Sequence, residues 1–320
     1  MDVEREDRCS LRMLTSGQIK YGVLFCVVLI VALILLNMRF NAIETLLSSH
    51  DTSSNKVEGT NVIPVFSQDD NEETFNKDLG IIRRKGYNNL ANRDLDKLST
   101  EELTLTIHSY PDNTDTICRR KLRMGNIGDG GWEICDDFDV RPRLPCIIYS
   151  FGINNDFTFD DDAALVYGCQ VYSFDPSMTN FADKVIRSNF STFYKIGLSD
   201  KSYIGSNKWK METFANIKKM MGHQNTIIDV LKIDIESSEW AAVPEMASSG
   251  QLKNIRQIMM EYHVTGDSRD YILPRLKAIQ AIENAGYKRY YVHKNPACGK
   301  RIHGYPIIRT QCYEVYYVKR

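Results

Sequence analysis

Carboxylates gather in this chain at the ends of apolar runs. The densest group is Leu231-Lys232-Ile233-Asp234-Ile235-Glu236-Ser237-Ser238-Glu239-Trp240. Strand alternation points Asp234 and Glu236 the same way, and Glu239 follows on the first turn of a helix, so three acids converge at one strand end. Capping by Ser237 or Ser238, with Glu239 near the helix dipole, explains the last of them but not Asp234 in a buried strand. A second run ends Met260-Glu261-Tyr262-His263 and adds an acid and an imidazole. His263 is the candidate general base, against the competing role of a satisfied histidine at a strand end. His50, His108, His223, His293 and His303 lack such company. Asp234, Glu236 and His263 form the candidate catalytic set.

Cofactor candidates stand at other strand ends. The turn Ser150-Phe151-Gly152-Ile153-Asn154-Asn155-Asp156 has one glycine where dinucleotide-binding folds carry three, and Gly152 and Asp156 are taken from it. Asp175, in Ser173-Phe174-Asp175-Pro176, lies 23 positions after Gly152. That is near the ~20 at which such folds bind ribose hydroxyls; the alternative is a turn or cap before Pro176. Asp200, in Gly197-Leu198-Ser199-Asp200, either reaches a purine or turns the chain. Asp129-Gly130-Gly131 is no Walker loop, because no Gly-Lys-Ser/Thr follows.

The elements that must position these residues alternate. Strands are predicted at Ile147 to Phe151, Cys169 to Phe174, Ser191 to Ile196, Thr226 to Ile235 and Ile255 to Tyr262, mostly as continuous apolar runs. Helices are predicted between them at Asp160 to Tyr167, Phe181 to Ser188, Lys210 to Met221 and Ser238 to Ser248. The repetition predicts an α/β fold with a mostly parallel, doubly wound sheet. After a helix from Tyr271 to Ala285, the aromatic strands Tyr287 to His293 and Cys312 to Val318 predict an antiparallel C-terminal edge. A capping box at Ser99 and Glu102 opens the folded domain.

The chain has 320 residues, 43% hydrophobic and 25% charged, which excludes a disordered, collagenous or disulfide-knot protein. Forty basic and forty-one acidic residues leave a net charge of −1, with no field that argues for nucleic acid. Val23 to Leu36 is wholly apolar within Tyr21 to Met38, long enough for one transmembrane helix. The rival is a cleaved signal peptide, whose core would be shorter and followed by small residues, whereas Asn37, Met38, Arg39 and Phe40 follow here. Arg5, Arg8, Arg12 and Lys20 precede the run, so the positive-inside bias predicts a type II single-pass anchor with the remainder in the Golgi or ER lumen. The predicted organisation is a cytosolic tail (1–20), a signal anchor (21–38), a polar stem (39–95) and a catalytic domain (96–320). Cys118, Cys135, Cys146, Cys169, Cys298 and Cys312 form an even lumenal set, with Cys298 and Cys312 the preferred pair; Cys146 and Cys169 are equally readable as buried thiols. Asn189-Phe190-Ser191 is a glycosylation sequon.

The segments Gly125-Asn126-Ile127-Gly128-Asp129-Gly130-Gly131-Trp132-Glu133, Tyr149 to Ile153, Tyr172 to Pro176, Lys232 to Glu236 and Met260 to His263 together resemble the methyltransferase-like protein 24 family, related to the FkbM-type methyltransferases. The resemblance covers about residues 115–320 and implies a class I, Rossmann-like fold that binds S-adenosylmethionine. It puts Gly152 at the cofactor turn, Asp175 on the ribose, and Asp234, Glu236 and Glu239 in the signature acidic segment; Asn154 and Asn155 depart from the further glycines usual there. The activity it implies is O-methylation of a glycan, glycoconjugate or small-molecule acceptor, with His263 or Asp234 as base, alone or with a divalent ion. Two other readings stand beside it. One is a Golgi glycosyltransferase holding a nucleotide sugar through metal-bound carboxylates at Asp160-Asp161-Asp162, a run equally suited to helix capping. The other is a non-catalytic binding module.

Overall fold

A computed structural model describes residues Leu90 to Arg320. The predicted tail, anchor and most of the stem lie outside the described residues. Among the described residues no helix is long and apolar enough to cross a membrane. Leu90 and Leu95, which the sequence reading leaves in the stem, are buried in the main core.

The elements run α1 (Thr100–Ser109), β1 (Lys121–Met124), β2 (Trp132–Cys135), β3 (Ile147–Phe151), α2 (Thr158–Tyr167) and β4 (Gln170–Phe174). Next come β5 (Lys184–Ile186), β6 (Ser191–Tyr194), β7 (Gly197–Leu198), β8 (Tyr203–Ile204), β9 (Lys210–Glu212) and α3 (Phe214–Met220). Then follow β10 (Ile228–Ile233), α4 (Glu239–Ser248), β11 (Ile255–His263), α5 (Arg269–Asn284) and β12 (Tyr287–Lys294). The chain closes with β13 (Gly299–Arg301), β14 (Ile308–Thr310) and β15 (Cys312–Lys319).

Eight strands form the central sheet in the order β12-β15-β11-β10-β3-β4-β6-β5. The pairs β11/β10, β10/β3, β3/β4 and β4/β6 are parallel, as the unbroken apolar runs require. Alternation sends Ile148, Val230, Val171 and Met259 to one face and Tyr149, Leu231 and Ile258 to the other. Apolar residues of α1, α3, α4 and α5 cover the second face, and those of α2 with the β1/β2 hairpin cover the first. The capping box forms as predicted: Ser99 accepts from the Glu102 backbone, and Glu102 from that of Ser99.

The predicted antiparallel C-terminal edge forms, with β15 lying between β11 and β12 and running against both. The nearly complete burial of β15 suits an interior place, whereas the partly exposed Lys288, His293 and Lys294 suit β12 to the edge. Two helix predictions are corrected. The stretch Phe181 to Ser188 is not a helix; it carries β5, antiparallel to β6, with Arg187 and Ser188 both donating to the Ser191 carbonyl. Phe181 and Val185 there pack on Phe157 and Phe193. Residues 210–221 divide into β9 and α3, because the Thr213 hydroxyl caps the helix by accepting from Asn216.

Disulfides join Cys118 to Cys135, Cys146 to Cys169 and Cys298 to Cys312. The favoured pair forms, and Cys146 and Cys169 are bonded rather than free thiols.

A buried ion pair fastens the start of the described chain. Arg289, fully buried on β12, donates to both Asp115 carboxylate oxygens at 2.7 and 2.8 Å and lies 3.5 Å over the Tyr110 ring. Tyr110 donates to Glu283 of α5, whose other oxygen accepts from the backbone of Leu90 and Ala91. Removing one partner of such a pair strands the other, so Arg289→Ala is expected to cost about 3–5 kcal/mol in denaturant melts; a loss below about 1 kcal/mol would show the tie to be dispensable.

His108 supplies a pH test. Burial, reinforced by the Arg309 charge, pushes its pKa down to about 4. The unfolded ring takes up its proton near 6.5, so the unfolded state binds more protons across this window and stability falls as pH drops from about 6.5 to about 4. His108→Gln is expected to flatten the stability profile by about 3 kcal/mol there, measured by urea titration at stepped pH.

Candidate active-site cleft

In an open parallel sheet the crevice forms beyond the strand ends where the strand order reverses, here between β3 and β10. An open cleft of about 480 Å³ lies there. Gly152, Asp175, Asp234, Glu236, Glu261 and His263 all line it.

Gly152 makes the crevice narrow. It sits at φ +79°, and a Cβ there would fall 1.5 Å from the Asp234 carbonyl oxygen, so only glycine lets the two strand ends meet. Asn154 (φ +44°) and Asn155 (φ +63°) continue the turn in the left-handed region. Asparagine is among the few side-chain-bearing residues that visit it readily, so the turn forms without further glycines. Lys232, buried in β10, donates to the Gly152 carbonyl at 2.8 Å and lies 5.1 Å from the Trp132 ring centre. A lysine between Leu231 and Ile233 in a wholly buried strand is the sequence signal that could have found this anchor.

Asp175 faces the cleft, but its carboxylate is committed to the protein. One oxygen accepts from the backbone of Ile153 and Asn154, each at 2.9 Å. The other accepts from the Ser177 backbone at 2.7 Å and its hydroxyl at 2.6 Å. Four accepted bonds use the usual capacity of a carboxylate. Asp175 therefore pins the glycine turn, which joins the predicted turn-forming role to the predicted place at the cofactor crevice.

Asp156 and Asp200 are not among the residues lining the cleft. Asp156 accepts from the Thr158 backbone at the start of α2 and from Asn126 of the glycine-rich loop. Asp200 is exposed and takes the Ser199 hydroxyl; Gly197 and Leu198 line the cleft in its stead. Asp129 of the glycine-rich loop does reach the cleft. The run Asp160-Asp161-Asp162 does not converge: Asp160 is buried on Ser173, Asp161 pairs with Arg187, and Asp162 accepts from Gly125. The metal site of the glycosyltransferase reading is thus absent from that run.

The acidic segment is arranged differently from a continuing strand. β10 ends at Ile233, and Glu236 (φ +53°) and Ser237 (φ +80°) reverse the chain in the left-handed region. This turn, not strand alternation, returns the Glu236 carboxylate to 3.6 Å from His263 Nε2. Glu261 stands 3.6 Å from the same nitrogen. On its other side the ring is held by buried Glu239, whose Oε1 lies 3.0 Å from Nδ1. Trp240 adds a bond from its indole N–H to the His263 carbonyl.

Electrostatics follow from this crowding. Burial, then the Asp234 charge and a hydrogen bond shared with it, raises the Glu261 pKa above the carboxylate range. Burial works against a charge on His263, but the bond to Glu239 and the charges of Glu239, Glu261 and Asp234 outweigh it and raise the pKa. Trp209, Met211, Asn295 and the Cys298–Cys312 bond complete the lining, all missed in the sequence because they come from excursions between the main strands.

Residues 68–319 match a protein-family profile described as "Methyltransferase domain". "Probable methyltransferase-like protein 24" of Rattus norvegicus is 23% identical over 224 residues, covering 62% of this chain and 59% of that protein. The Homo sapiens protein of the same name is 23% identical over 181 residues, covering 51% and 48%. The chain thus spans about half to three-fifths of the length of these curated relatives. Among solved structures, precorrin-6y C5,15-methyltransferase from Geobacter metallireducens GS-15 aligns with a TM-score of 0.30 and 8% identity, over 57% of this chain and 84% of that one.

The cleft geometry sets a test that needs no ligand. Asp175→Ala is expected to destabilise the chain by about 2–4 kcal/mol through its lost charged hydrogen bonds, and Gly152→Ala by at least about 2 kcal/mol through backbone collision. Thermal melts by circular dichroism read both; an unchanged Asp175→Ala midpoint would mean that the carboxylate serves a ligand alone.

Proposed function

The chain belongs to the methyltransferase-domain family, and from that premise we propose that it transfers the methyl group of S-adenosylmethionine to a hydroxyl of a glycan, glycoconjugate or smaller acceptor in the secretory pathway. The observation that carries the reading is the meeting, in one crevice, of the glycine turn with the Asp234, Glu236, Glu261 and His263 cluster.

The residues fit such a cofactor. Gly152 lets the ends of β3 and β10 meet at the floor of the crevice, and the acidic lining suits a ligand whose reactive sulfur is positive. Gly152 and the backbone of the turn pinned by Asp175 are the groups placed to hold it. When bound, the cofactor supplies an activated methyl carbon: the C–S bond breaks with its electron pair kept by sulfur, a C–O bond forms, and the hydroxyl proton leaves.

The protein must orient the acceptor and take that proton. Alignment supplies much of such a rate, and a positioned base contributes roughly 10²–10⁴-fold. Asp234, at the end of β10 on the cleft wall, is the residue we assign to the proton, unaided or beside a divalent ion. His263, clamped by Glu239, holds the surrounding carboxylates in place.

Support for the compartment is separate. The apolar run Val23 to Leu36 suits a type II anchor. Three disulfides suit an oxidising Golgi or ER lumen. The sequon asparagine, Asn189, is exposed before β6, where a glycan could be attached.

Calorimetry on the full chain in detergent is expected to show S-adenosylmethionine and S-adenosylhomocysteine binding, with nucleotide sugars inert. Asp234→Asn is expected to lower transfer of labelled methyl to sugar hydroxyls at least about 100-fold while cofactor affinity holds. Failure of both adenosyl compounds to bind would overturn the reading in favour of a non-catalytic module, and nucleotide-sugar binding would favour the glycosyltransferase.

A further inference from the structure

We infer that the His263 end of the cleft is a divalent-cation site, ligated by Asp234, Glu236 and His263 Nε2, with Glu261 as a fourth oxygen donor. Only the ion's role rests on the methyl-transfer reading: placed beside the acceptor hydroxyl, it would orient that group and ease loss of its proton to Asp234.

The histidine is the first reason. Its side chain is only 10% exposed, yet Nε2 lines the cleft with no hydrogen-bond partner among the described residues. The ring cannot turn to relieve this, because Nδ1 is fixed on Glu239, a residue of zero exposure. A buried carboxylate behind an imidazole whose other nitrogen faces an opening is the outer-shell arrangement that orients metal-binding histidines.

Spacing is the second reason. Glu236 and Glu261 oxygens both stand 3.6 Å from Nε2, too far for a hydrogen bond. Ligands bound at roughly 2.1 Å lie about 3.0–3.4 Å from one another in octahedral or tetrahedral shells, so a small inward movement would complete the set. The donor atoms of Asp234, Glu236 and His263 already lie within 4.8 Å of one another.

Donor chemistry is the third. The carboxylates of Asp234, Glu236 and Glu261 surround a single imidazole nitrogen. Cys312 also lies beside Glu261 and His263, but its sulfur is bonded to Cys298 and offers no thiolate. Carboxylates with one imidazole and no thiolate favour a harder ion such as Mn²⁺ over soft metals.

The test titrates MnCl2 into the full chain in detergent, following loss of the free Mn²⁺ electron paramagnetic resonance signal, with MgCl2 and ZnCl2 as competitors. One ion per chain is expected. Asp234→Asn and Glu236→Gln should each weaken binding tenfold or more, and Glu239→Gln by about 10–100-fold through the loosened ring. Glu236 is exposed, so its variant keeps the fold, checked by circular dichroism. No stoichiometric binding of any of the three ions to folded protein, or binding indifferent to Asp234→Asn and Glu236→Gln, overturns the inference. Methyl transfer that persists in EDTA, without ion binding, defeats this inference and leaves the proposed activity standing. Ion binding without methyl transfer does the reverse.

Discussion

The structure turns on the contact between two strand ends. At the crest of the sheet the chain leaving β3 passes so close to the Asp234 carbonyl that residue 152 has no room for a side chain. Backbone hydrogen bonds lock this approach: Gly152 donates to Phe174, and Asp234 donates to Phe151. Lys232 closes it from below through the Gly152 carbonyl. The glycine turn, Asp175 and the acidic segment are placed by reference to that junction, because the turn after β3, the turn after β4 and the end of β10 all meet there.

A second level of order is supplied by buried polar groups that act at a distance from the crevice. Glu239 and Trp240, on the first turn of α4, reach across to the end of β11 and set the His263 ring. Gln257 of the same strand is fully buried and bonds the backbone of Cys135 and Val140, fixing the opposite end of β11 to the hairpin layer. Groups of this kind are costly to bury unless fully paired, so they specify one arrangement rather than merely adding stability. Rigidity at both ends of β11 is what lets two of its residues, Glu261 and His263, hold fixed positions on the cleft wall.

The parallel core was legible because strands buried on both faces need unbroken apolar runs, and helix starts announce themselves through caps such as Ser99 with Glu102. The acidic segment and His263 were legible too, since charge at the end of a buried strand has few structural uses. What escaped lies in backbone conformation and long-range pairing. Nothing local distinguishes Glu236 and Ser237 in a left-handed turn from the continuation of a strand, so the right residues converged for the wrong reason. The insertion of β15 between β11 and β12 depends on which strand has two buried faces, a property of the assembled sheet. Asp156 and Asp200 share the type and position of cofactor ligands, but a neighbouring N–H or hydroxyl claimed each of them. Asp175 shows the same competition inside the crevice itself.

The bond between Cys298 and Cys312 ties the β13/β14 excursion at its root, and both cysteines line the crevice. Cys312 is also the residue directly across from His263 in the sheet. The bond therefore closes the segment between Cys298 and Cys312 covalently beside the imidazole, so that an oxidised clasp makes a loop near the opening part of its boundary.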